Sequence, residues 1–371
     1  MKVALVHDWL TGMRGGEKCL EVFAELFPDA DLFTLIHVEG SVSKLIENRK
    51  IKTSLLQKVP SIERYYRHFL PLLPEMMARF DTSSYDVVIS SSHCVAKMIP
   101  VSGSTRHWCY IYTPMRYVWD LFDDYFGENS SLPVRAAAHL VAPYLRHVDV
   151  KTSEGVDQFV AISKFIGERV SRHYGRESEV IYPPVSLERF SPAPRDEVED
   201  WDLVVSAFAP YKRIDLAVEA SNRLNRRLKI IGSGQMEEQL KKMAGPQVEF
   251  LGWLSDEEIA WHMARCRSFV FPGVEDFGIT PVEAQASGRP VVAIGEGGAL
   301  ETIRGLDDAN PSGVLFREQT VDSMCDALLA ADKVDWDGET IARGVRHFSR
   351  DRFKDEVRAS LDRFTGGELF S

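Results

Sequence analysis

Two glutamates and a lysine carry the spacing most suggestive of chemistry. Glu275 and Glu283 flank a seven-residue gap in the stretch Arg267 to Arg304. Ser268 to Pro272 is a short apolar run that reads as a buried strand. Glu275-Asp276-Phe277-Gly278 follows as a loop. Thr280 then sits at the expected N-cap of a helix, with Pro281 at its first position and Glu283 three residues past the cap. Ser287-Gly288 ends that helix. Pro290 to Ile294 reads as a second strand, Gly295 to Gly298 as a turn, and Ala299 as the start of another helix. The backbone N–H groups of Gly278, Ile279 and Thr280 would therefore face outward at a helix N-terminus, where free donors and the helix dipole suit a phosphate. Glu283 could accept hydrogen bonds from the vicinal hydroxyls of a ribose. Glu275 would lie nearer the phosphate end. A capping box with a solvated Glu275 would also account for the bare spacing. The strand-loop-helix setting, with glycines at both mouths, favours the ligand-binding reading.

Other candidates sit at comparable places. Lys212 lies in a strand-to-helix turn, Phe208 to Arg213, where a cation could neutralise a departing diphosphate; a solvated turn lysine is the plainer alternative. Arg213 adjoins it, although helical neighbours point in different directions. Gly15-Gly16 closes the loop Asp8 to Gly16 ahead of an amphipathic helix, Glu17 to Leu26. The loop is not a G-x-G-x-x-G fingerprint, yet paired glycines allow close approach of an anion, or simply a tight turn. Tyr112 ends the strand Trp108 to Tyr112, and Thr113 and Arg116 follow it. Arg116 could pair with an acidic sugar or phosphate, or form a structural salt bridge. Gly252-Trp253 follows the strand Val248 to Leu251.

These sites need strands feeding helices, and the pattern recurs in both halves of the chain. The fold class expected is α/β, with two Rossmann-like doubly wound domains. Pro183-Pro184, Ser191 to Pro194 and the acidic run Asp196 to Asp202 mark a linker. Domains are expected over 1–190 and 191–347, with a final helix in 348–371 returning to the first. A net charge of −11 argues against general nucleic-acid binding. No apolar run reaches the eighteen or so residues of a membrane span, and MKVALVHDWL reads as a first strand and not a signal peptide. Five scattered cysteines suggest neither zinc spacing nor a disulfide framework, so a reducing cytoplasm is expected. Ile62 to Phe80, broken by Pro71 and Pro74, reads as two short helices. A core-packed pair with a basic edge is favoured there over a face for a membrane. No convincing D-x-D loop appears; Asp123-Asp124 and Asp307-Asp308 read as solvated turns.

The stretch EDFGITPVEAQASGRPVVA resembles the donor-binding motif of the retaining GT-B glycosyltransferases, family four. The segment TPMRYVWD is similar to the WbaZ-like mannosyltransferase branch of O-antigen assembly. That branch carries a histidine where Tyr112 stands, and the family an arginine where Ala207 stands. The resemblance implies two domains facing across a cleft and a metal-independent transfer of a hexose with retention. Mannose from GDP-mannose would move to a glycan or polyprenyl-linked acceptor in surface polysaccharide synthesis, with peripheral contact at the inner membrane face. No cofactor is implied beyond the nucleotide-sugar substrate. By the same resemblance, Lys212, Glu275 and Tyr112 are catalytic. Gly15, Gly16, Arg213, Gly252, Trp253, Phe277, Gly278, Ile279, Thr280 and Glu283 bind the donor, the nucleobase being held by backbone, and Arg116 meets the acceptor. In such a front-side mechanism the departing phosphate can take the acceptor's proton. Rhamnose, fucose or glucose donors remain open, as do a nucleotide-sugar epimerase of the same fold and a non-catalytic nucleotide-sugar binder.

Overall fold

The structure, a computed structural model, describes residues 1–120, 122–126 and 131–370. The chain divides into two compact units, Met1–Pro184 with Asp351–Ser371, and Val185–Arg350. The break falls directly after the Pro183-Pro184 doublet. Residues from Val185 onward go with the second unit because the Val185 N–H donates to the Phe348 carbonyl at 2.9 Å.

The first unit is built on seven strands: β1 Val3–His7, β2 Asp31–Thr34, β3 Ile51–Thr53, β4 Val87–Ser92, β5 Arg106–Ile111, β6 Gln158–Ala161 and β7 Ser178–Val180. Their order is β3-β2-β1-β4-β5-β6-β7, and every pairing is parallel. Parallel neighbours need crossovers, and helices supply them, so both sheet faces are covered and the strands read as apolar runs. The sequence direction reverses between β1 and β4, which pair with Ala4 opposite Val88. The helix Arg350–Thr365 completes this unit. Its buried stripe, Phe353, Val357 and Leu361, recurs every four residues. Phe353 lies against Phe23 and Tyr110, and the Trp108 indole N–H donates to Ser360 at 3.2 Å. Full burial of a side chain like Phe353 contributes about 2–3 kcal/mol.

The second unit has six strands: β8 Asp202–Val205, β9 Leu228–Ile231, β10 Val248–Gly252, β11 Phe269–Phe271, β12 Val291–Ile294 and β13 Gly313–Phe316. The order is β10-β9-β8-β11-β12-β13, again parallel throughout. Alternate residues feed two separate cores. Val204, Ile230, Val270, Val292 and Val314 face the helices Ile214–Leu224 and Val321–Ala331. Leu203, Ile231, Phe269, Phe271, Val291 and Ala293 face the other side with Trp201 and Met263. The direction reverses between β8 and β11, where Leu203 pairs with Phe269. Each unit is thus a doubly wound sheet, and each has a crevice at the carboxyl ends of the two strands flanking its reversal.

The segment after residue 61 forms helix Ile62–Tyr65, a tight turn of helix Tyr66–Leu72 and helix Leu73–Ala78. Ile62, Tyr66, Leu73 and Met77 are buried in the first unit's core, which fits the core-packed pair. Asp123 lies on a short helix, Phe122–Phe126, and not in a turn as expected, because flanking aromatics Phe122 and Phe126 pack together. Asp307 and Asp308 are exposed in a turn. No helix among the described residues is long and apolar enough to cross a membrane.

Candidate functional site

The crevice of the second unit forms where two backbones come very close. Gly273 follows β11, and a Cβ there would lie 2.8 Å from the Lys212 Cα in the turn after β8. That approach brings Lys212 Nζ into an ion pair with Glu275 Oε1. Both side chains are about four-fifths buried, at 18% and 20% exposure. The pair therefore straddles the reversal of strand order, where open α/β sheets bind ligands.

The loop carrying Glu275 is fixed from a second side. The Gly298 N–H donates to the Glu275 carbonyl at 2.8 Å. Gly297 has φ +67°, and a Cβ there would meet the Glu275 carbonyl oxygen at 2.5 Å. Only glycine combines that backbone with that proximity. Phe277 is buried edge-on against Phe348, ring centroids 5.3 Å apart. The Gln319 amide donates to the Pro272 carbonyl at 2.9 Å.

The helix that follows runs Ile279–Ala286, and its start corrects the expected cap. Gly278, at φ +88°, is the N-cap; Thr280 lies inside the first turn and Pro281 one position further on. A left-handed residue turns the chain sharply off β11, and glycine does this without strain. The helix closes with paired bonds, Gly288 N–H to Gln285 O at 2.8 Å and Arg289 N–H to Ala284 O at 3.0 Å, with Gly288 at φ +74°. The first N–H groups of a helix have no carbonyl behind them within it, so Gly278, Ile279 and Thr280 form its donor end. Glu283 is half-buried, one turn further along. A carboxylate, a donor end and a second carboxylate thus lie in one short span of loop and helix, and the Lys212 ammonium pairs with the first of them from the turn after β8. Such a set can hold a diphosphate and hydrogen-bond a vicinal diol.

The remaining second-unit candidates are less central. Arg213 is left-handed at φ +50°, and its guanidinium forks onto Asp215 at 3.1–3.2 Å. That pairing ties it to its own helix, where Asp215 occupies the first turn. Ala207 is exposed. Gly252 ends β10 at φ +70°, and Trp253 stands 86% exposed in the turn beyond.

The first unit's crevice contains a network that sequence reasoning only brushed. Gly15 and Gly16 are the first two residues of the helix Gly15–Leu26, not loop residues as expected. Glu17 sets the start two positions early by accepting the Arg14 N–H at 3.0 Å. Below Gly16 lies a buried chain. Glu17 Oε1 is 3.5 Å from His7 Nε2, His7 Nδ1 is 3.1 Å from Ser91 Oγ, and Ser91 Oγ is 2.7 Å from the Tyr112 hydroxyl. The Tyr112 hydroxyl also donates to the Gly16 carbonyl at 3.0 Å. Burial pushes the Tyr112 phenol well above its ordinary range. Tyr112 therefore braces the helix start against the strand ends. Burial alone would raise the Glu17 carboxyl, but the hydrogen bond and charge of His7 outweigh it and hold it low. Arg116 is half-buried in the loop after β5.

Asp8 and His93 were not singled out as site residues. Asp8 follows β1 and is wholly buried; His93 follows β4. The Asp8 carboxylate accepts N–H bonds from His93, Cys94, Val95 and Ala96 at 2.5–3.2 Å, and lies 2.9 Å from His93 Nδ1. Burial would raise its pKa, but His93 by charge and hydrogen bonds, helped by His7, holds it far below the carboxylate range. The available signal was positional: an acid after the first strand and a histidine after the fourth flank the reversal.

Comparison with known proteins places these units. Residues 190–332 match the family model described as "Glycosyl transferases group 1". The chain is 29% identical over 216 residues to a Mycobacterium tuberculosis GDP-mannose-dependent alpha-(1-6)-phosphatidylinositol monomannoside mannosyltransferase, covering 50% of this chain and 55% of that one. It is 26% identical over 170 residues to O-antigen chain mannosyltransferase C of Escherichia coli, 43% of each chain. The chain spans about half the length of the curated relatives it matches. Among solved structures, sucrose-phosphate synthase from Thermosynechococcus elongatus superposes with a TM-score of 0.72 at 15% identity, covering 99% of this chain and all of that one. At that identity the likeness speaks to fold alone, and the fold is GT-B, two Rossmann-like parallel-sheet domains.

Proposed function

We propose that this chain is a retaining glycosyltransferase that moves mannose from GDP-mannose to a glycan or polyprenyl-linked acceptor. The observation that carries the reading is the Lys212–Glu275 ion pair at the second unit's strand reversal, beside the donor end of the helix Ile279–Ala286. The diphosphate of a nucleotide sugar would displace Glu275 from Lys212 and take both the ammonium and the helix amides. Those groups would answer the leaving group's charge in place of a metal ion. Glu275, released, would turn to the sugar's hydroxyls, and Glu283 would accept from the ribose diol. The mannosyltransferase relatives and the matched glycosyltransferase segment support the sugar and reaction class. The same relatives support an acceptor that is a lipid-linked sugar or a growing glycan.

A thermal-shift screen against nucleoside diphosphates and nucleotide sugars tests the reading, because a ligand that binds only the folded state raises stability by mass action. GDP and GDP-mannose are expected to give the largest shifts. Glu283→Ala should then weaken GDP binding in calorimetry by about 10-fold, as loss of a charged hydrogen-bond acceptor implies. Unchanged affinity would remove the ribose assignment.

A further inference from the structure

The helix Leu132–Ser153 of the first unit keeps only a narrow stripe inside. Ala142, Leu145, Asp149 and Ser153 are buried, spaced three or four residues apart along one side. At about 100° per residue, Leu140, Tyr144, His147 and Lys151 line the opposite side. All four are exposed, Leu140 at 81%. Leu132 stands 79% exposed where the helix begins. Lone exposed leucines are ordinary, but these share one helix with a one-sided set of charges. The helix holds Arg135, Arg146 and Lys151 and a single acid, Asp149. Asp149 is sealed and paired with Lys97, so the outward face shows cations alone. The whole chain carries a net charge of −11. A basic, acid-free face on an acidic protein is complementary to an anionic surface.

A second stretch covers the same face of the first sheet. Ile62, Tyr66, Leu73 and Met77 pack into one core with Ala142 and Leu145. That inward packing leaves Arg64, Tyr65, Arg67 and Leu72 exposed on the outward side. Leucines and tyrosines interleaved with arginine and lysine suit a lipid headgroup layer. The leucines enter the acyl boundary, the tyrosine hydroxyls stay wet and the cations meet lipid phosphates. One side of the helix is committed to the protein core, so it can lie on a bilayer but not enter it. A second copy of the chain fits this face less well, because it would set cation against cation. We propose that helix Leu132–Ser153, flanked by residues 62–72, is the surface by which this chain docks on an anionic lipid bilayer. The proposal goes beyond the donor reading and does not depend on it, since every residue it uses lies in the first unit.

The test is co-sedimentation of the full chain with vesicles of phosphatidylcholine alone and of equimolar phosphatidylcholine and phosphatidylglycerol. Binding to the anionic vesicles should exceed binding to the neutral ones by about 10-fold or more, and should weaken as salt rises. Leu140→Ser with Tyr144→Ser should weaken it by about 10-fold, through lost apolar area. Arg135→Glu with Lys151→Glu should remove the preference for anionic lipid. All four residues are exposed, so both double variants should melt at the wild-type temperature. The five native cysteines are buried, so a polarity-sensitive dye attached at Leu140→Cys reports that position alone. Its emission should shift to the blue when anionic vesicles are added. Failure to bind anionic vesicles, equal binding by the Leu140–Tyr144 double variant, or a dye that stays in water would each overturn the proposal. So would a wild-type chain that self-associates without lipid and loses that association in the same double variant, because the face would then belong to a second copy.

Discussion

Gly298→Ala tests how the second unit's crevice is built. Gly298 has φ −61°, which alanine adopts freely, so any effect must be steric. An added Cβ would lie 2.4 Å from both the Phe277 Cα and the Phe277 carbonyl oxygen. Ordinary contact begins at 3.4 Å, so the two backbones must part by about 1 Å. Both clashing atoms belong to the main chain, and no side-chain rotation relieves them. The displaced segment runs from Glu275 to Gly278, which sets the ion pair to Lys212 and the helix donor end together. A 1 Å displacement of positioning groups can cost about 10²-fold in rate, and overpacking of this kind costs about 1–3 kcal/mol of stability. Calorimetry with GDP-mannose should show affinity lower by about 10-fold or more, with a melting temperature a few degrees below wild type. Gly155→Ala is the control, because its Cβ would make only one ordinary contact, at 3.6 Å to the Thr152 carbonyl. It should change stability by no more than about 0.5 kcal/mol and leave donor affinity alone. Donor affinity in Gly298→Ala within twofold of wild type would refute the claim that this backbone contact positions the site.

Two other expectations concern stability. Burial lowers His107 to about 4, against roughly 6.5 in an unfolded chain. The unfolded chain then binds the extra proton between these values. His107's contribution is full above pH 6.5 and is lost as pH falls toward 4, by about 3 kcal/mol in all. Urea titrations across that window should show the slope, and His107→Asn should flatten it; an unchanged slope would discount the buried imidazole. Lys97 and Asp149 form a wholly buried ion pair at 2.8 Å, with Asp149 also accepting from Trp119 and Tyr174. Lys97→Met should cost about 3–5 kcal/mol by stranding the carboxylate, and Lys97→Met with Asp149→Leu should recover part of it. A single variant as stable as wild type in urea would show that the pair holds nothing together.

The sheets were legible because buried parallel strands are short apolar runs bounded by turn residues. The amphipathic helix expected over Glu17 to Leu26 appears, with its start two residues earlier at Gly15. The edge strands β3 and β13 were not anticipated. Ile51–Thr53 is half-exposed, lies at an edge and is only three residues long, so it carries little apolar signal. Helix Leu132–Ser153 escaped because its outward face mixes Leu132, Val134 and Leu140 with arginines and histidines, which blurs the 3.6-residue period. The cap at Gly278 was misread because Thr280-Pro281 imitates a helix start, whereas a left-handed glycine opens it two residues earlier. Glu275 and Lys212 could be named from turn positions, but their pairing depends on Gly273 meeting the Lys212 backbone, a contact across the sheet. Asp8 and His93, 85 residues apart, meet only through the β1–β4 pairing, so no local pattern could join them.

The central claim is that Lys212, released from Glu275, carries the charge of a departing diphosphate. Steady-state turnover of GDP-mannose by Lys212→Ala, measured beside its Kd for the donor, tests it most directly. The account predicts kcat lower by about 10²–10³-fold with a much smaller change in Kd. An unaltered kcat would contradict it.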